Sequence, residues 1–364
     1  MKGSLTLGKF AGIKVRIHWS FWLIIVWIIF LDISRGNDIT GMMWNILFIF
    51  SLFFCVVLHE FGHALTARKF NIGTRQITLL PIGGVASLEE MPENPWEEFL
   101  VAIAGPLVNV GIAIILYLFI PVESFLEQDP EALQESLSMV NSGNFLFFLL
   151  SANILLVAFN LIPAFPMDGG RVLRALLSTK LDRVKATQAA SLLGQMLAFF
   201  FFIIGLLYNP ILILIAIFVW FGAQGENVMI QQMSLLKDHE VREAMMTDFT
   251  ELNPDSTVDD VVDLIIAGTE RDFVVTENGK VRGIVKHSDI NDVLRNRGKN
   301  VSVREFMKTD FTELKASEKL TDIYRKIRVS QNDFFPVVEN GEIKGVIDMN
   351  NINEFMMFRS SADY

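Results

Sequence analysis

From position 41 to 58 the chain reads GMMWNILFIFSLFFCVVL without a charged residue, and HEFGH follows at 59–63. A hydrocarbon core ~30 Å thick takes ~20 consecutive apolar residues per crossing helix, so this run is long enough to span. Ionisable side chains at such a depth are costly and mark function. Any fold for this chain must bury that run in lipid and supply a reason for two imidazoles and a carboxylate at its end.

Other segments are equally apolar. Hydrophobic residues make up 51% of the 364, and mean hydropathy is +0.40. Six spans are expected, near 17–33, 41–67, 97–120, 144–162, 186–208 and 210–231. The first, 17-IHWSFWLIIVWIIFLDI-33, lacks a small-residue cleavage site and reads as a retained span. Cations cluster on alternate loops: Lys2, Lys9, Lys14 and Arg16, then Arg68, Lys69 and Arg75, then Arg171, Arg174, Lys180, Arg183 and Lys185. The opposite loops are poor in them, and 121-PVESFLEQDPEALQESLSMVNSGN-144 has none. Positive loops stay inside, which puts both termini in the cytoplasm and the acidic loop outside. Net charge is −10 with no broad basic surface, which argues against nucleic acid as a partner. Cys55 is the single cysteine, so an intrachain disulfide is excluded. It reads as a small packing residue or as a thiolate ligand one turn before His59.

Between the second and third spans, 76-QITLLPIGGVASLEE-90 is apolar but too short to cross, and Pro81, Gly83 and Gly84 interrupt it. Ile77, Leu79 and Leu80 suit an extended strand. A re-entrant strand or loop is expected, covered by protein or lining a wet cavity.

On a helix, residues four apart share a face. His59 and His63 can therefore grip one cation, with Glu60 beside its open side, the H-E-x-x-H pattern of zinc hydrolases. A catalytic zinc takes three protein ligands. The best third candidate is Asp168, in 153-NILLVAFNLIPAFPMDGGRVLRALL-177, where prolines and glycines break the helix. Its competing role is to cap the helix that begins near Gly169. Asn160 could donate to a developing oxyanion or bond a neighbouring helix. Asn109, in 105-GPLVN-109, reads as an interhelical packing or hydrogen-bonding residue, with Gly105 allowing close approach. His18 beside Trp19 suits an interfacial anchor, and His239 and His287 fall outside the membrane half.

The last ~130 residues are charged, and they repeat. VREAMMTDFTEL at 241–252 matches VREFMKTDFTEL at 303–314, and VTENGKVRGIVKHSDI at 275–290 matches VVENGEIKGVIDMNNI at 337–352. Each unit reads as a helix, a hairpin turned at Asn-Gly and a short helix. The expected division is 1–232, 238–298 and 299–364.

HEFGH in one span, GPLVN in the next and NLIPAFPMDGG after a later one resemble the site-2 protease family of intramembrane zinc metalloproteases. The resemblance covers about residues 1–231. The repeat is similar to a pair of CBS (cystathionine-β-synthase) modules, which one branch of that family carries. The implied fold class is a polytopic α-helical membrane protein with six transmembrane helices and a re-entrant strand or loop, plus a C-terminal α+β tandem CBS module. The resemblance implies one Zn2+ per chain held by His59, His63 and Asp168, Glu60 as catalytic base, and Asn160 assisting at substrate or oxyanion. It implies hydrolysis of single-span membrane substrates within a lipid bilayer, in a prokaryotic plasma membrane. CBS pairs resemble adenosine-nucleotide sensors, which makes ATP or AMP the expected ligand. Gly283 and Asp289 match that family's ribose-holding run in the first repeat, with Lys286 in the hydroxyl position. In the second repeat Asp348 and Asn351 depart from it. The module otherwise reads as a packing or homodimerisation element without ligand. The rivals to a protease are a CBS-regulated metal-ion transporter and a non-proteolytic membrane scaffold.

Overall fold

The computed structural model describes residues 3–81, 83–88, 90–122, 139–329 and 333–362. Most of the acidic loop expected outside the membrane, 123–138, lies outside the described residues. The chain divides into two compact units, Met1–Ile230 and Gln231–Tyr364.

The first unit opens with strands rather than a span. β1 (Ser4–Phe10) and β2 (Ile13–His18) form a hairpin that turns at Ala11 and Gly12, both at positive φ. Ile13, Val15 and Ile17 alternate inward, the period of a half-buried strand. The expected first span therefore begins inside β2, and its helix, α1 (Phe21–Arg35), has 15 residues. Gly36 closes it in the left-handed conformation at φ 73°. α2 (Ile39–Lys69) is a single 31-residue helix capped by the Asp38 side chain on the Gly41 N–H. It carries the charge-free run and HEFGH without a break. β3 (Thr74–Leu80) contains the extended strand expected at Ile77, Leu79 and Leu80, and it pairs with β4 (Gly83–Leu88) in a hairpin. β2 pairs in parallel with β3, giving a four-stranded sheet in the order β1-β2-β3-β4, with β4 at an edge.

Four further helices follow among the described residues of this unit and the start of the next: α3 (Pro95–Phe119), α4 (Phe145–Asn160), α6 (Arg183–Leu207) and α7 (Pro210–Leu236). The shorter α5 (Asp168–Leu177) lies between α4 and α6. Among the described residues, α2, α3, α6 and α7 are long and apolar enough to cross a membrane, and α4 is apolar but 16 residues long. Their outer faces carry large apolar side chains, such as Leu118, Phe119, Leu155 and Phe221, each at least 70% exposed. Water would penalise that belt and lipid would not.

The second unit repeats one motif. α8 (Val258–Ala267), β6 (Phe273–Glu277), β7 (Lys280–Val285) and α9 (His287–Asn296) are echoed by α10 (Leu320–Val329), β8 (Phe334–Glu339), β9 (Glu342–Asp348) and α11 (Met349–Ala362). A two-residue strand, Glu251–Leu252, adds in parallel to β6. Both hairpins turn on Asn-Gly with both residues at positive φ: 55° and 76° at Asn278–Gly279, 54° and 83° at Asn340–Gly341. This is the primed geometry that the strand twist selects. Val274, Ile284, Phe334 and Val346 form a shared apolar cluster between the two sheets.

Asp272, just ahead of β6, accepts the His287 N–H at 2.8 Å and so fixes the start of α9. Burial pushes its carboxyl above the ordinary range, and the nearby carboxylates of Asp333 and Asp348 add to the rise. The folded state then binds its proton more readily than the unfolded chain, so this group weakens the fold as pH rises past its titration. Asp272→Asn keeps the acceptor for His287 and removes that penalty. Thermal unfolding of the variant is expected at a higher temperature than wild type at pH 7, with the gain shrinking toward pH 4.

Candidate metal centre

The centre is built where α2 passes α3 and the start of α5. His59 and His63 are one turn apart on α2, their rings 4.8 Å apart and nearly perpendicular. His59 Nε2, His63 Nε2 and Asp168 Oδ2 lie 3.1 Å from one another in all three pairings. A tetrahedral ion with bonds of ~2.0–2.1 Å sets its donors about 3.3 Å apart, so the triangle has the size such an ion needs. All three side chains are buried, and theirs is the cluster among the described residues whose ligand atoms could hold a metal ion. Two imidazole nitrogens and one carboxylate oxygen number three, the ligand count of a catalytic zinc rather than the four of a closed structural site.

Each imidazole is held from behind. His63 Nδ1 donates to the Val101 carbonyl at 2.7 Å, and His59 Nδ1 donates to Asn109 Oδ1 at 2.8 Å. Both Nε2 lone pairs therefore face the triangle. Asn109 Nδ2 donates in turn to Asn153 Oδ1 on α4 at 3.0 Å. Close approach of α3 makes this possible. A Cβ at Gly105 would fall 2.2 Å from His63 Nε2 and 2.7 Å from His59 Nε2, so any larger residue there would occupy the ligand atoms' own space.

Asp168 is not the helix cap. The N-cap of α5 is Met167, without a side-chain bond, and Asp168 is the first helical residue with its carboxylate turned to the histidines. The chain reaches this point by folding residues 161–167 tightly against the helix start, and a Cβ at Gly169 would fall 2.2 Å from the Ile162 carbonyl oxygen. Further along α5, the fully buried Arg174 bonds Glu98 on α3 and Glu226 on α7, the latter at 2.5 Å, and lies 5.0 Å above the Phe165 ring. Arg183 reaches the other Glu98 oxygen at 3.5 Å. Removing one member of such a buried cluster leaves an uncompensated charge, at a cost of about 3–5 kcal/mol. The cluster thus pins the helix that delivers Asp168.

Glu60 follows His59 on α2. Its Oε2 accepts the Ala86 N–H of edge strand β4 at 3.0 Å, which ties the carboxylate to the sheet. Asn160 ends α4, half-buried, and no hydrogen bond of its amide is found among the described residues. Cys55 is a buried packing residue that accepts a long bond from Asn153, 3.5 Å, and lies outside the ligand cluster. His18 Nδ1 and the Ser20 hydroxyl form a local bond of 2.6 Å, and His239 pairs with Glu243.

Peptidase family M50 matches residues 47–204, and the CBS domain model matches 241–296 and 303–357. A zinc metalloprotease of Methanocaldococcus jannaschii is 35% identical over 353 residues, 97% of this chain and 96% of its own length. The chain belongs to the site-2 proteases of peptidase family M50. This M50 protein is thus a zinc metalloprotease of the membrane, carrying a CBS pair. It is also 31% identical to stage IV sporulation protein FB of Bacillus subtilis over 176 residues, 48% of this chain and 51% of that one. A solved site-2 protease from Methanocaldococcus jannaschii is 42% identical, covering 62% of this chain and 95% of its own, with a TM-score of 0.45.

In the CBS pair, a cleft of about 1520 Å³ is lined from both repeats by residues including Arg271, Lys286, Lys308, Asp333 and Asp348. Gly283 and Asp289, expected to hold a ribose, do not line it. Gly283 packs against Met307 and the Lys308 carbonyl, and Asp289 is paired with the Lys308 ammonium. Lys286, buried, reaches Asp333 at 2.7 Å. In the second repeat Asp348 and Asn351 bond one another's backbone N–H groups, closing the start of α11.

The sequence reading missed Asn153 and the Glu98–Arg174–Glu226 cluster. The signal for Asn153 was present: a lone amide inside FLFFLLSANILLVAFN has to find a partner in the bundle. The crowding at Gly105 sets a test. Gly105→Ala is expected to weaken zinc binding at least about tenfold, read by elemental analysis of purified protein, while helical circular dichroism is retained.

Proposed function

We propose that the chain cleaves a peptide bond in or near the transmembrane segment of a single-span membrane protein, with zinc held by His59, His63 and Asp168. What carries this reading is the buried triangle of two imidazoles and a carboxylate, with Glu60 following His59 on the same helix. The bound ion would supply a Lewis acid and a water of lowered pKa. Glu60 takes the proton from the attacking water at its free carboxylate oxygen and returns it to the leaving amine. The amide of Asn160 stabilises charge that develops on the carbonyl oxygen. Asn109 and the Val101 carbonyl hold the imidazoles with their Nδ1 protons in place.

A peptide bond in a helix is hidden by its own hydrogen bonds, so substrates must unwind near the cut. β4 is an edge strand beside Glu60, and an extended substrate segment adds to that edge. The alternating cations of the loops support a topology with both termini in the cytoplasm, from which water reaches the site near Arg68. The cleft of the CBS pair has the volume and, in Arg271, a lining cation to take an adenine nucleotide that biases access to the site.

Cleavage of a single-span substrate in detergent tests the main reading. Wild type is expected to cleave, a chelator to abolish cleavage, and Glu60→Gln to lose at least about 100-fold in rate while keeping its zinc. A metal transporter would instead move zinc across vesicles and show no chelator-sensitive cleavage. Glu60→Gln protein that still cleaves at the wild-type rate would remove Glu60 as the base.

A further inference from the structure

We infer that Asn153, two hydrogen bonds away from the ligand atoms, is a positioning residue that decides which nitrogen of His59 is free for the metal. The inference rests on His59 being a zinc ligand and extends that reading to residues outside the site.

An imidazole binds a metal through a nitrogen that carries no proton, and the other nitrogen must then hold the proton and find an acceptor. The two histidines solve this differently. His63 Nδ1 faces the Val101 carbonyl, a backbone oxygen that can only accept, so its tautomer is settled by the fold. His59 Nδ1 faces a side-chain amide, Asn109. An amide presents an acceptor at one end and two donors at the other, and only its partners decide which end faces which neighbour. Turned the wrong way, Asn109 would point N–H at His59 Nδ1. That would favour the tautomer with Nδ1 bare and Nε2 protonated, which cannot bind a metal through Nε2.

Asn153 removes the ambiguity. Its Nδ2 donates to the Leu149 carbonyl at 2.8 Å and to Cys55 Sγ at 3.5 Å. The Leu149 oxygen only accepts, so the amide nitrogen of Asn153 must face it and Oδ1 must face the other way. Oδ1 then accepts from Asn109 Nδ2, which turns Asn109 Oδ1 onto His59. The polarity of a backbone carbonyl on α4 is thus passed through two amides to a ring on α2. Asn109 and Asn153 are both 0% exposed, and His59 is 6% exposed. Water has little room to satisfy a reversed amide, so a reversal leaves N–H facing N–H and O facing O in a low-dielectric interior.

The test is zinc affinity of the full chain in detergent, by competition with a chromophoric chelator, with thermal unfolding followed in parallel. Asn153→Leu removes the reference for Asn109 and is expected to weaken zinc about tenfold or more. Asn153→Asp loses the same bonds to Leu149 and Cys55 but keeps an oxygen for Asn109 Nδ2, so its affinity is expected within about threefold of wild type. In Asn109→Asp/Asn153→Leu a carboxylate offers His59 Nδ1 an oxygen whichever way it turns, and most of the lost affinity should return. A purely structural role for Asn153 predicts instead that all three variants melt early and bind zinc equally weakly. That result, or an Asn153→Leu protein with wild-type affinity, overturns the inference. If Asn153→Leu does not fold, an Asn153→Asp protein that folds yet binds zinc tenfold more weakly overturns it equally. Absence of zinc from the wild-type chain would fail the metal reading itself, a separate outcome.

Discussion

Two imidazoles and a carboxylate are pressed to within 3.1 Å of one another in the buried middle of a helix bundle. Left alone, three such groups would each need a partner or water. Their other polar atoms are already committed to Val101, Asn109 and, more distantly, Arg171 at 4.0 Å. What remains is a three-sided nest of lone pairs sized for one small cation. The neighbouring structure follows from the need to build it. α2 supplies two donors at helical spacing, Gly105 lets α3 lie against them, and the sharp approach to α5 turns Asp168 inward.

A nest of donors binds selectively only if it is held still. Two polar assemblies do the holding, and neither belongs to the nest. The amide pair behind His59 ties α2, α3 and α4 together within the apolar interior. The Glu98–Arg174–Glu226 cluster ties α5 to α3 and α7. Both place polar groups where apolar ones would pack at less cost. They are intelligible as the means by which a ring orientation and a helix position are fixed against motion. The sheet contributes too, where β4 holds the carboxylate of Glu60, the residue that follows His59 on α2.

The helical span that carries HEFGH, the strand at Ile77–Leu80 and the tandem repeat are legible because each follows a simple period or turn rule. Asp168 was legible as a partner for the histidines because it sits at a helix break that the prolines and glycines announce. The strands β1 and β2 are hidden in the sequence, because the apolar run from Ile17 looks like the start of a span. The alternation of Ile13, Val15 and Ile17 with Lys14, Arg16 and His18 carries the strand, and the helix begins only at Phe21. Asn109 reads as an interhelical packing or hydrogen-bonding residue, but nothing in its spacing tells that its partner is the back of His59. Arg174 looked like one more loop cation. Its burial depends on Glu98 and Glu226, distant in sequence, meeting it. In the CBS pair, Gly283 and Asp289 follow a local motif, yet Lys308 from outside that motif takes the Asp289 carboxylate.

The measurement that bears most directly on this account is X-ray absorption at the zinc edge of the purified full-length protein. The account predicts one zinc per chain with a first shell of nitrogen and oxygen only, at about 2.0–2.2 Å, and multiple scattering from two imidazoles. Substitution of Asp168 by Ala should remove one oxygen from that shell or empty the site. A sulfur neighbour from Cys55, a single imidazole, or a shell unchanged by the Asp168 substitution would contradict it.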